Sequence, residues 1–170
     1  MLSLNELCRR IQLSKPALYR EFGGEDGLME AALLRYRGSV LEPLQVALAA
    51  DVSLDELITG LVHLITAEGA SHPGCLFTEL RAVRARLGPL TRARLAAIED
   101  ERRQALRDWY SRAAERGEVG ADLNPATAAR YLDAQLSLAL LQVGAGEAPA
   151  HARVTLELAL QPLRGTRLQE

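Results

Sequence analysis

SLNELCRRIQLSKPALYREF (residues 3–22) reads as two short helices joined by a tight turn. Ser3 and Glu6 stand at the S-x-x-E spacing of a capping box, which predicts the start of the first helix. Leu4, Leu7, Cys8 and Ile11 recur three and four residues apart and give that helix one apolar face. Gln12 and Leu13 turn the chain. Ser14 is a second N-cap, and Pro16 follows in the first helical turn, where its missing N–H is tolerated. Leu18 and Phe22 supply the inward face of this second helix, and Cys8 is small enough for the two helices to cross closely. Lys15, Ala17, Tyr19 and Arg20 are left facing away. Short and basic side chains presented by a second helix are what a helix-turn-helix offers to a DNA groove.

LSKPALYREF (13–22), with Leu28 six residues further on, resembles the signature of the TetR family of transcriptional regulators. The shared features are the Leu-Ser turn, the exit Tyr19-x-x-Phe22, and a helix opening near the acidic pair Glu25-Asp26 and Leu28. PGCL (73–76) fits less specifically. The resemblance implies a helix-turn-helix DNA-binding domain over 1–38 and a helical effector-binding and dimerisation domain over 39–170. Ser14 and Tyr19 would then hold phosphates, Lys15, Pro16 and Ala17 would face base edges, and Arg20 would lie beside the DNA backbone. Lys15 offers donors to guanine, while Pro16 and Ala17 can pack on a thymine methyl. Effectors in such proteins sit between helices corresponding to 53–69, 73–87 and 89–116, which nominates His63, Thr66, Phe77, Trp109 and Tyr110. The same five side chains would serve equally as core filling.

The implied function is that of a bacterial repressor released from its operator by a small-molecule effector. Three departures from the family pattern keep a second reading open. Met1 stands almost directly before the helix pair, where the family has a further helix. Gln12 occupies a turn position that is usually Gly, and Glu25 a position that is often Lys. A form extended by that helix is expected to bind DNA more tightly than these 170 residues. The second reading is a dimeric, helical small-molecule-binding protein that no longer binds DNA.

Composition agrees with an all-α chain. The 170 residues are 48% apolar and 25% charged but only 4% aromatic. Ala and Leu dominate, and the apolar repeat is helical almost throughout. A net charge of −2 rules out a polybasic nucleic-acid coat. Arg9, Arg10, Lys15 and Arg20 outweigh Glu6 and Glu21 within residues 1–22, so a mildly basic tip stands on an acidic body. The effector is expected to be small and apolar or amphipathic, since few rings are available to stack on it. Cys8 and Cys75 make no disulfide framework, and His63, His72 and His151 are too scattered for a metal site. No cofactor fingerprint or nucleophile motif is found, so neither cofactor nor catalysis is expected. No signal peptide or membrane-spanning run is read, and the chain is taken as cytoplasmic.

Along the body, Gly38, Ser39 and Pro43 interrupt the pattern, Pro43 is expected to kink or break the helix, and the boundary between the two domains is placed near residue 38. Ser53 and Glu56 form a capping box, and the helix that follows is expected to stop at Gly69. A helix from Pro73 to Leu87 and a long one from Pro89 to about Arg116 come next, the latter with Leu95, Ile98, Leu106, Trp109 and Ala113 inward. Glu99 with Arg103 and Asp108 with Arg112 have i,i+4 spacing for surface pairs. Asn124-Pro125 and Pro149 open the last two helices, to about Val143 and Leu163. Both are apolar over more than one face, which predicts a two-fold homodimer through Leu132, Leu136, Leu140, Val154 and Leu158.

Overall fold

The computed structural model describes residues 4–10, 12, 14–50, 52–66 and 76–164, and these are helical almost throughout. Among them the only β pairing is a one-residue bridge between Val119 and Arg164. Helices α1 (Leu4–Arg10), α2 (Lys15–Phe22) and α3 (Glu25–Tyr36) form the head. The body consists of α4 (Glu42–Ala49), α5 (Leu54–Thr66), α6 (Leu76–Ala82), α7 (Pro89–Glu115), α8 (Pro125–Gly144) and α9 (Pro149–Leu160). No described helix is long and apolar enough to cross a membrane. Ser3, Leu13, Gly69, His72 and the Pro73–Cys75 helix start lie outside the described residues, as does the side chain of Thr66.

The caps are where local sequence dictates them. Ser53 N donates to Glu56 at 2.7 Å and Glu56 N donates back to Ser53 Oγ at 3.2 Å, the full capping box. Asn124 Oδ1 accepts from Ala126 N at 2.9 Å. Gly117 closes α7 at φ +71°, with Glu118 N reaching Ala113 O at 3.0 Å.

Two segments depart from expectation. Of the kink or break expected from Pro43, the helix is not broken: α3 continues through a widened π turn, Arg37–Leu41, into α4. Pro43 has no N–H for the Ser39 carbonyl, and one wide turn absorbs the missing bond without ending the helix. The domain boundary expected at residue 38 therefore falls inside a continuous rod. The helix expected to reach Leu87 instead leaves helical geometry at Val83 (φ −108°, ψ 17°), and a 3-10 turn, Arg84–Arg86, follows.

The α3–α4 rod lies parallel to α7 in nearly constant register. Asp26 bonds to Leu90 and Thr91, Glu30 to Arg94, Arg37 to Glu101, the Leu48 carbonyl to Arg112 and the Val52 carbonyl to Arg116. Each pair is separated by 64 residues, or 65 for Thr91. Between these ties Leu33 and Leu41 pack with Leu95 and Ile98 in one apolar cluster, together with Phe77 and Leu80. A larger cluster joins Leu48, Leu57, Ile58, Leu106, Trp109, Tyr110, Leu132, Leu136 and Leu156.

The α7 stripe is buried as expected, but the Glu99–Arg103 surface pair is not formed. Glu99 is 6% exposed and pairs with Arg81 and Arg84 at 2.9 and 2.8 Å, while Arg103 lies 3.9 Å from Asp100. Position 99 follows Ile98 onto the inner side of α7, so its carboxylate meets cations brought by α6 and the 3-10 turn. Arg102 is buried beside it, ion-paired to Asp133 of α8, with its guanidinium 4.5 Å from the centre of the Phe77 ring. Asp108 accepts from Gln104 at 2.7 Å, and Arg112 donates to the Leu48 carbonyl at 2.6 Å.

The apolar residues of α8 and α9 also divide differently. Leu132 and Leu136 belong to the chain's own core, and Leu140 packs against the smaller cluster. Val154 and Leu158 are exposed, and so are Leu138 and Leu141. The 3.6-residue repeat turns positions 132 and 136 toward α7 and α9, and leaves 138 and 141 outside.

Candidate nucleic-acid interface

The candidate surface is built on α2. Ser14 stays extended (φ −73°, ψ 148°) and its Oγ accepts from Ala17 N at 3.3 Å, which starts the helix. Leu18, fully buried, anchors the inner side, and Phe22 is half-buried. Gly23 ends the helix in the left-handed region at φ 72°, donating its N–H to the Tyr19 carbonyl at 2.9 Å. The next residue, Gly24, is buried, and a Cβ there would lie 3.4 Å from the Tyr19 ring. Glycine at this exit leaves the ring its place on the turn.

Ser14, Lys15, Pro16, Tyr19 and Arg20 are exposed together on this helix, and Ala17 is half-buried between them. Tyr19 is 53% exposed, high for an aromatic residue whose ring already rests on a glycine. The preceding turn bends at Gln12, which adopts φ +53° without being glycine. That conformation costs about 1 kcal/mol.

Charge at the tip is partly spent internally. Glu6 lies 2.7 Å from Arg9 and 3.0 Å from Arg10, and these two guanidinium groups hold its carboxyl below the ordinary range. Glu6 therefore stays ionised and offsets one of the two arginines. Lys15 and Arg20 on α2 carry the rest, against Glu21. Glu25 is exposed at the start of α3.

The role of Asp26 is not visible in its local sequence. An acidic residue in the first turn of α3 suits the helix dipole, but its carboxylate serves a different helix. Its oxygens accept from Leu90 N at 2.9 Å, Thr91 N at 3.0 Å and Thr91 Oγ1 at 2.6 Å, while Thr91 Oγ1 also lies 3.1 Å from the Asp26 carbonyl. The Thr91 hydroxyl, with these amides, holds the Asp26 carboxyl below its usual range. Asp26 thus caps α7, whose own preceding residue, Gly88, has no side chain to do so. A Cβ at Gly88 would sit 2.2 Å from Asp26 Cγ, so only glycine lets the carboxylate reach the helix end. The head is fastened to the longest helix of the body at this point.

Of the residues nominated from sequence to line an effector site, four have described side chains. Trp109 and Tyr110 are in the larger core cluster, with Trp109 Nε1 donating to the Val52 carbonyl at 3.0 Å and the Tyr110 hydroxyl donating to the Gly120 carbonyl. Phe77 is buried in the smaller cluster, and His63 is exposed. A cleft of about 390 Å³ lies elsewhere, between the α3–α4 rod and α7. Among the described residues no cluster of three or more His, Cys, Asp or Glu is placed to hold a metal ion.

No family model matches the chain, and no curated protein matches it by sequence. Solved structures do match in three dimensions. The regulatory protein TetR from Rhodobacter sphaeroides superposes with a TM-score of 0.80 at 17% identity, covering 95% of this chain and 87% of that one. A cysteine mutant of the TetR-family regulator CifR, complexed with 26-bp double-strand operator DNA, gives 0.73 at 24% identity, over 94% and 85%. A transcriptional regulator from Saccharomonospora viridis in complex with choline gives 0.73 at 18% identity, over 98% and 88%. The chain has the all-α fold of the TetR-family transcriptional regulators.

Proposed function

We propose that this chain is a DNA-binding transcriptional regulator, a repressor that leaves its operator when a small-molecule effector binds the body. The observation that carries the reading is α2, which exposes Ser14, Lys15, Pro16, Tyr19 and Arg20 on one short capped helix. CifR, of like fold, is seen on operator DNA, and the Saccharomonospora regulator with a small cation, which supports both halves of the proposal. Ser14 and Tyr19 hold phosphates, Lys15, Pro16 and Ala17 meet base edges, and Arg20 flanks the backbone. The effector must bind the DNA-free state better, or it shifts nothing.

The test is a titration against the intergenic DNA upstream of the gene at one fixed salt concentration. Tyr19→Phe is expected to weaken all sequences alike, since it removes a phosphate contact. Lys15→Ala is expected to weaken binding and relax base preference by about 1–3 kcal/mol at one position. If both variants bind as the unmodified chain does, α2 is not the reading helix.

A two-fold dimer is part of the proposal, because it sets two recognition helices roughly 34–36 Å apart, or a multiple, on a near-palindromic site. The surface for it is Leu138, Leu141, Val154 and Leu158, between 45% and 60% exposed on α8 and α9. Leu158→Glu is expected to give a monomer by light scattering at micromolar concentration, because the two-fold repeats the same patch on both sides. An unmodified chain that is itself monomeric there would refute the dimer.

A further inference from the structure

Residues 1–27, which contain the α2 surface, carry four basic side chains, Arg9, Arg10, Lys15 and Arg20, and four acidic ones, Glu6, Glu21, Glu25 and Asp26. The tip of the head is therefore electrically neutral, and Glu21 and Glu25 are both exposed beside α2. Sequence-independent affinity for a duplex comes from cations set against its phosphates. A surface that presents Lys15 and Arg20 together with two carboxylates needs further positive charge from another part of the chain.

The body supplies it at the point where the head is fastened. Between Glu79 and Glu99 the chain has five arginines and no acidic residue. Three are committed to carboxylates: Arg81 and Arg84 to Glu99, Arg81 also to Asp133, and Arg94 to Glu30. Arg86 and Arg92 are exposed, and Arg92 forms no ion pair among the described residues. Arg92 stands in the first turn of α7, directly after the Leu90 and Thr91 groups that grip Asp26. After the Thr91 hydroxyl and the amides, its charge also holds the Asp26 carboxyl low. Asp26 is two residues from Gly24, at most about 7 Å along the chain. Gly24 in turn is where the Tyr19 ring rests. Arg92 thus lies beside the end of α2 that carries Tyr19, away from Ser14 at its start.

We infer that Arg92, a residue of the body, belongs to the DNA interface and holds a phosphate on the strand contacted by Tyr19, further along than the Tyr19 phosphate. Successive phosphates of one strand follow about every 3.4 Å of helix axis, so a cation a short way beyond Tyr19 meets the same backbone. The contact adds affinity and orientation but no base preference. Asp26 gains a second role from it, because fastening α7 to the start of α3 brings a cation to the place where Glu21 and Glu25 repel the backbone. The inference rests on α2 as the helix that enters the groove.

The experiment is a fluorescence-anisotropy titration of the full chain on two duplexes of equal length, the intergenic DNA upstream of the gene and a mixed sequence. Each is run between about 50 and 200 mM salt. In Arg92→Gln the slope of log affinity against log salt is expected to be shallower by about 0.9 on both duplexes. Its deficit in affinity then shrinks about threefold across that range. Arg92→Lys keeps the charge and is expected to keep the slope. Arg107→Gln removes the same charge from an exposed position about 22 Å further along α7, and is expected to leave the slope unchanged. An unchanged slope in Arg92→Gln, an equal change in Arg107→Gln, or no binding to either duplex would overturn the inference. Equal affinity for the two duplexes with the Arg92 effect present would refute operator reading by α2 and leave this contact standing. A preference for the intergenic duplex with an unchanged Arg92→Gln slope would do the reverse, and would leave the arginines to an acidic protein partner.

Discussion

Arg102→Met is expected to lower stability by about 3–5 kcal/mol, read as a shift in the urea midpoint at neutral pH. Arg102 and Asp133 are 2% and 3% exposed, and their ion pair spans α7 and α8 in the middle of the body. Removing the guanidinium leaves a carboxylate in a site from which water is excluded. Arg81 still lies 3.2 Å from the other Asp133 oxygen, but Arg81 is also the partner of Glu99, so the loss is reduced and not cancelled. The double variant Arg102→Met with Asp133→Leu removes both charges and is expected to regain most of the stability, because buried pairs contribute little net of desolvation. A double variant as unstable as the single would mean that the shape of the arginine over the Phe77 ring matters more than its charge.

The second large effect is Trp109→Ala, expected to cost about 3–5 kcal/mol by thermal or urea unfolding. The ring is fully buried among Leu48, Leu57, Leu106 and Leu132, and its deletion leaves a cavity that helices of fixed register cannot close. Trp109→Phe keeps most of the packing and loses the bond to the Val52 carbonyl, so about 1 kcal/mol is expected. The pair of variants separates two roles proposed for this residue. A ligand-lining tryptophan would lose effector affinity with little change in stability, whereas a core tryptophan loses stability first.

The elements legible in the sequence are those written in local chemistry. Ser14, Ser53 with Glu56, Gly117 and Asn124 act within a few residues of themselves, and each is found where its spacing put it. The face of α2 was readable for the same reason, since burial of Leu18 leaves Lys15, Tyr19 and Arg20 outside. What could not be read were functions that a residue performs for a distant segment. Asp26 looks like an ordinary first-turn acid until α7 is brought beside it. Pro43 looks like a helix breaker because nothing local says that Leu33 and Leu41 are both held against α7, which keeps the rod continuous. The buried ions did leave a trace. Arg102 falls in the same stripe as Leu95, Ile98, Leu106, Trp109 and Ala113, so the periodicity that identified the core also placed a charge inside it. Asp133 likewise follows Leu132 in the stripe toward Leu136.

The constant spacing between the α3–α4 rod and α7 makes length itself a constrained property of both helices. Each inserted or deleted residue advances a helix by 1.5 Å and rotates everything beyond it by about 100°. A deletion in α7 between Arg94 and Glu101 would turn Glu101, Arg112 and Arg116 away from their partners together, even though none of them had been changed. Single-residue gaps should therefore be far rarer in these two segments than substitutions, and a gap in one should be matched by a gap in the other between the same pair of ties.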